Sequence, residues 1–134
     1  MAEQVEFELV SPEKLLLSEP VDMVVVPGGD GNFGVLPRHS PLISTVRPGV
    51  IDVYQKGSVE QRIFVAGGFA EVTGERCTVL AEEAVPVEEI DRAETEQALK
   101  DAREDLADAK EAADKKEIEG RIAVLEAKMD AIKK

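Results

Sequence analysis

Three sets of residues have types and spacings that could do chemistry. The first is Gly29-x-Gly31-x-x-Gly34, directly after the apolar run Asp22-Met-Val-Val-Val26. That is the spacing of a dinucleotide-binding turn, in which glycines let a pyrophosphate approach the N-terminus of a following helix. Here Gly34 is followed by Val-Leu-Pro37, with Pro41 four residues beyond. Proline lacks the amide that a helix interior needs and biases the residue before it to extended backbone, so no helix is expected there. No lysine stands where a phosphate loop would need one. The glycines therefore read as bends: the strand ending at Val26 turns and returns at Gly34-Val-Leu36, with Asp30-Gly-Asn-Phe33 at the tip. Phe33 has two readings, an exposed contact or a ring folded back over the body of the protein.

The second set is the pair of lone reactive residues, His39 and Cys77. His39 lies between Arg38 and Ser40, with no nucleophile, acid or metal-ligand partner at a recognisable spacing, and reads as a structural hydrogen-bonding residue. Cys77 lies in the alternating stretch Arg76-Cys-Thr-Val-Leu80 and reads as a small apolar filler of a strand. The third set, Ile90-Asp91 with Glu94 and Thr95, opens the C-terminal part of the chain. No catalytic residue and no metal site emerge from these types and spacings.

Composition narrows the partners. With 28 acids against 16 bases the net charge is −12, so nucleic acid or an anionic lipid surface would be repelled over most of the molecule. The N-terminal residues do not resemble a secretory leader, and no apolar run is long enough to cross a bilayer. The expectation is a cytoplasmic chain with no direct membrane insertion, and a single cysteine fits a reducing compartment.

The elements that must position these residues fall into two parts. Residues 1–87 read as eight to ten short strands between turn signals, an all-β antiparallel sandwich or flattened barrel. Val5–Val10 alternates apolar and polar. Val50–Tyr54 and Val59–Val65 flank Gln55-Lys-Gly-Ser58 as a hairpin, and Phe69–Thr73 and Cys77–Ala81 form another. Residues 88–134 contain no proline and one glycine, and are rich in Ala, Glu, Asp, Lys and Leu. Leu99, Ala102, Leu106, Ala109 and Ala113 make one apolar stripe, and Ile118, Ile122, Leu125, Met129 and Ile132 another. Two stripes predict a C-terminal α-helical hairpin, with its turn near Ala112-Ala-Asp114 and Asp114 capping the second helix. One stripe is mostly alanine and offers little area to bury, so the hairpin is expected to be an appendage able to change position about residues 84–89.

The segment "VPGGDGNFGVLPRHSPLISTVRPGVIDV", followed by "FVAGGFAEV", "CTVLAEEAV" and an Ala-rich helical tail, resembles the epsilon subunit of the bacterial F-type ATP synthase, the counterpart of the mitochondrial delta subunit. The resemblance covers essentially the whole chain. It implies a ten-stranded sandwich with two helices and a non-catalytic role in the rotor, at the foot of the central stalk, between the gamma shaft and the c-ring. It places the c-ring contact at Asp30, Gly31, Asn32, Phe33, Pro37, Arg38 and His39, and the shaft contact at Pro41, Leu42, Ile43, Gly67, Gly68 and Phe69. Relatives often carry an acid where this chain has Asn32, and Asp30 is the nearest substitute. It also implies a place on the cytoplasmic side of the bacterial plasma membrane, peripheral to it.

In many relatives the helical tail reaches the alpha and beta catalytic subunits and blocks hydrolysis, or binds ATP through a motif Ile/Leu-Asp-x-x-Arg-Ala. Here Ile90 and Asp91 match, while Glu94 and Thr95 do not. A carboxylate at Glu94 opposes a phosphate that an arginine would attract, so no bound nucleotide is expected. Residues 88–134 hold 15 acids and 10 bases, which predicts at most weak inhibition. Two rival classes are an enzyme, against which the missing acid, base and nucleophile sets weigh, and a cytoplasmic interaction module that dimerises through a C-terminal coiled coil.

Overall fold

The structure, a computed structural model, describes residues 3–133. Two units divide between Pro86 and Val87. Alternation of apolar side chains generates the first. Its ten strands are β1 (Val5–Val10), β2 (Leu15–Val21), β3 (Met23–Gly28), β4 (Gly31–Val35), β5 (Leu42–Val46), β6 (Gly49–Gln55), β7 (Ser58–Val65), β8 (Gly68–Val72), β9 (Arg76–Ala81) and β10 (Ala84–Pro86). The neighbours run β10-β7-β6-β3-β5-β8-β9-β1-β2, with β4 beside β3. The sheet doubles over where β3 passes from β6 to β5: β6 and β5 are joined only through β3, which shares with β5 the single register pair Gly28↔Val46. Val5, Phe7 and Leu9 of β1 and Cys77 and Val79 of β9 meet Val24, Val26, Ile51, Val53 and Val65 in one core. Each such side chain contributes roughly 1.5–3 kcal/mol when fully buried.

The sheet is not wholly antiparallel. β1 and β9 run parallel, from Glu6↔Arg76 to Val10↔Leu80. Hairpin partners must be antiparallel, but strands this distant in sequence carry no such constraint. Three strands lie outside the sequence reading, among them the three-residue β10 within the segment read as a hinge. β2 lacks clean alternation and contains Pro20; it is an edge strand whose register shifts at Leu9/Val10, and edges tolerate a missing amide. β5 follows Pro41 closely and is only five residues long.

The glycine-rich segment is more extended than expected. β3 continues to Gly28 and β4 starts at Gly31, so only Gly29 and Asp30 form the turn. Asn32 and Phe33 are strand residues, paired with Pro27 and Val26. Phe33 is half-buried and packs against the core, the folded-back reading.

The second unit holds a short 3-10 turn (Val87–Glu89), α1 (Arg92–Asp108) and α2 (Ala112–Lys133). Arg103–Glu126 and Arg121–Asp105 ion pairs, at 3.5 and 3.7 Å, join the helices as an antiparallel hairpin. Leu99 and Ala102 are buried, and Ile118, Ile122, Leu125, Met129 and Ile132 are half-buried, so the second stripe lies where its spacing put it, whereas the first holds only to Leu106: Ala109 is the extended cap of α1 and Ala113 is exposed on α2. The turn comes earlier than expected. Ala109 is extended (ψ 137°), and helical bonding resumes with the Lys115 amide donating to the Glu111 carbonyl. Asp114 is therefore inside the first turn of α2 and not its cap, where its charge still complements the helix dipole.

Candidate interaction surfaces

Strand register builds one exposed face from residues scattered through the sequence. On β5, β8, β9, β1 and β2, the residues alternate with core positions and point outward. Leu15 pairs with Val10, Val10 with Leu80, Leu80 with Phe69, and Phe69 with Thr45, a single row across five strands. Leu15, Leu80 and Phe69 are 55%, 52% and 60% exposed, and Val10 is half-buried. Ile43, 74% exposed, lies diagonally from Phe69 on the same face. A contiguous exposed apolar row of this kind marks a contact surface, whereas single exposed leucines do not.

Of the residues expected at a shaft contact, Ile43 and Phe69 thus share a surface. Pro41 and Leu42 are exposed at the start of β5. Gly67 and Gly68, at φ 127° and 145°, form the bend into β8. Leu80, Val10 and Leu15 were missed by sequence reasoning. Leu80 was findable, because an alternation that points Cys77, Val79 and Ala81 inward must point Leu80 out.

The row adjoins the β3–β4 turn. The Gly29 amide donates to the Thr45 carbonyl at 2.9 Å, and a Cβ on Gly29 would fall 2.3 Å from the Thr45 hydroxyl. Asp30 and Gly31 are exposed at this tip. Arg47 secures the tip from the side: its backbone amide donates to the Pro27 carbonyl, and its guanidinium donates to the Gly28 carbonyl and to the Asn32 side-chain oxygen.

The other residues expected with the tip lie elsewhere. β4 separates Asp30 from Pro37, Arg38 and His39 by five strand residues, roughly 16 Å at about 3.3 Å per residue. Residues 31–39 are thus not one loop, because Val35 on the core face keeps the intervening chain in the sheet. Arg38, at φ 67°, donates its amide to the Gly74 carbonyl and pairs with Glu3. His39 Nδ1 lies 2.7 Å from the Ser40 carbonyl. Burial pushes the Cys77 thiol up from 9.0 to about 12, which keeps it protonated and unreactive.

In the helical unit, Asp91 is the N-cap of α1 and accepts from the Glu94 amide at 2.9 Å. The buried Thr95 hydroxyl donates to the Asp91 carbonyl at 2.7 Å. Ile90, Asp91, Glu94 and Thr95 together make a helix start.

Comparison with known proteins agrees with both units. Residues 4–87 match the family described as the beta-sandwich domain of the ATP synthase delta/epsilon chain. Residues 91–134 match the family described as the C-terminal domain of the ATP synthase epsilon chain. The protein belongs to the ATP synthase epsilon-chain family. The ATP synthase epsilon chain of Rhodospirillum centenum is 57% identical over 137 residues, covering 98% of this chain and 94% of that one. The epsilon chain of Rhodospirillum rubrum is 56% identical over 133 residues, covering 99% of both. Among solved structures, a chain of the Euglena gracilis mitochondrial ATP synthase OSCP/F1/c-ring assembly is 27% identical with a TM-score of 0.84, covering 96% of this chain and 81% of that one. A chain of the Tetrahymena thermophila mitochondrial ATP synthase central stalk and c-ring shares the epsilon-family fold at 14% identity and a TM-score of 0.73, covering 98% and 99%.

Proposed function

We propose that this protein is a non-catalytic rotor subunit of an ATP synthase, holding the gamma shaft through the apolar row and meeting the c-ring through the β3–β4 tip. The observation that carries the reading is the exposed row Leu15-Val10-Leu80-Phe69 with Ile43, on a sheet face continuous with that tip. A rigid sandwich gripping one partner by a face and another by a turn transmits torque without making bonds. The subunit then sits peripherally on the cytoplasmic side, in keeping with the lack of any helix long and apolar enough to span a bilayer among the described residues.

The helical hairpin works without bound nucleotide in this reading. Asp91 is committed to its cap, and Glu94 brings a negative charge where a phosphate would need a positive one. The acidic balance of residues 88–134 disfavours insertion beside acidic catalytic segments, so contact with the alpha and beta subunits is weak and hydrolysis is little inhibited. The Arg103–Glu126 and Arg121–Asp105 pairs hold the two helices against each other within one molecule, which speaks against the coiled-coil dimer.

The test is binding of the full-length protein to the catalytic core and shaft prepared without it. Phe69→Asp should weaken binding at least tenfold, since burying a large apolar side chain is worth about 1.5–3 kcal/mol and an unpaired carboxylate adds to the loss. Unchanged affinity for a folded Phe69→Asp protein would remove the apolar row from the interface.

A further inference from the structure

The β3–β4 turn sets Asp30 directly before Gly31, a pair that can rearrange its own backbone. The Gly31 amide nitrogen attacks the side-chain carboxyl carbon of Asp30, one water leaves, and a five-membered succinimide forms. Water then adds back. Opening of the ring at the side-chain carbonyl restores aspartate, whereas opening at the main-chain carbonyl leaves isoaspartate, whose backbone runs through Cβ. Atoms and charge balance without any oxidant or co-reactant. A side chain on the following residue hinders the attack, and glycine has none.

Several observations single out this pair. Asp30 is the only aspartate of the chain that glycine follows. Asp101, Asp105, Asp114 and Asp130 lie within helices, and Asp91 is engaged as a cap. Asp30 is exposed, and its carboxylate has no cation or donor among the described residues. Gly31 has φ 137°, which glycine alone holds without strain, and nothing lies within 4 Å of the place a Cβ would take. The turn therefore demands the residue that leaves the reaction least hindered. Asn32, the only asparagine, is followed by the bulky Phe33, and its side-chain oxygen accepts from Arg47.

The hairpin restrains the attack. Gly31 pairs with Gly28 at the last rung, and the Arg47 guanidinium ties the Gly28 carbonyl to the Asn32 side chain across that rung. Rungs at the end of a hairpin open at low cost, well below that of global unfolding.

We propose that Asp30–Gly31 is a site of spontaneous isoaspartate formation, and that Arg47 sets its rate by holding the last rung of the hairpin closed. The product carries an extra methylene in the main chain of a two-residue turn, so the Gly28↔Gly31 rung and the Arg47 bonds loosen. The reaction needs no partner and runs in the free protein whatever the tip touches.

The test is incubation of the full-length protein at neutral pH for weeks. Isoaspartate is counted with a methyltransferase that labels isoaspartyl carboxylates, and located in the tryptic peptide of residues 15–38 by electron-transfer fragmentation. It should accumulate at residue 30, and not at Asp22 or Asn32 of the same peptide. Asp30→Glu keeps the charge but disfavours ring closure, and should abolish the label. Arg47→Ala should speed labelling on the order of fivefold, the population gained by losing about one hydrogen bond, with Arg47→Lys in between. Hydrogen exchange of the hairpin amides should be faster in the labelled fraction. Label that appeared only in urea-unfolded chains, or that survived Asp30→Glu, would overturn the site. An unaltered rate in a folded Arg47→Ala protein would overturn the role of Arg47.

Discussion

Gly68→Ala should break the sheet at the base of the apolar row. Gly68 opens β8 at φ 145°, where a side chain is strained, and a Cβ there would lie 1.9 Å from the Leu80 carbonyl oxygen and 3.1 Å from the Ala81 Cα. All the obstructing atoms are backbone, so no rotamer change relieves the clash. The unfavourable dihedral costs about 1–3 kcal/mol. Relief requires β8 and β9 to part at Gly68↔Ala81 and Phe69↔Leu80, forfeiting one or two backbone hydrogen bonds at about 1 kcal/mol each. The expected loss is about 2–5 kcal/mol, a large share of the roughly 5–15 kcal/mol that holds a domain folded. Urea unfolding reports it, with fluorescence of Tyr54, the only tyrosine, as a probe seated in β6 of the sandwich. A loss below about 1 kcal/mol would refute the argument, since neither the strain nor the clash could then be as drawn.

Three further outcomes are expected. Gly120→Ala in α2 has the opposite sign: nothing lies within 4 Å of the added Cβ, and replacing glycine in a helix interior should raise the thermal midpoint of the helical circular dichroism, by about 0.5–1 kcal/mol in stability. Asp91→Ala removes the cap of α1 and should lower that midpoint through a loss of about 1 kcal/mol in stability, with Asp91→Ser retaining most of the stability. Cys77 gives a pH dependence: unfolded chains lose the thiol proton near pH 9.0 while the folded protein keeps it to about 12, so the folded state binds more protons and stability falls through that window. The loss attributable to this group is at most about 1.4 kcal/mol per pH unit, and Cys77→Ala should unfold with a correspondingly shallower alkaline slope.

The strands with strict alternation were legible because one buried face imposes period two. Val5–Val10 has its predicted bounds, and the hairpins on either side of Lys56-Gly57 and Gly74-Glu75 fall within a residue or two of theirs. β2 was not, since Leu15-Leu-Leu17 straddles a register shift that breaks the period. The helix stripes were legible for the same reason as β1, but not the break between them, which contains neither glycine nor proline and is fixed by the extended backbone at Ala109. Of the exposed apolar row, Ile43 and Phe69 were singled out only through the family resemblance. The row itself was not legible, because Val10 and Leu80 become neighbours only through the parallel pairing of β1 with β9. The Arg47–Asn32 bond links residues 15 apart and leaves no local signature.

That parallel pairing also imposes a schedule on synthesis. β1 is made first, but its partner β9 follows some 70 residues later, as the Glu8–Thr78 contact shows. At about 5–20 residues per second a ribosome takes roughly 4–14 s to supply it. Throughout that interval the inward stripe Val5, Phe7 and Leu9 has only β2 beside it. The sandwich cannot close as its strands emerge one by one; it must close late and nearly all at once, when residues 76–81 appear and while the helical hairpin is still being made.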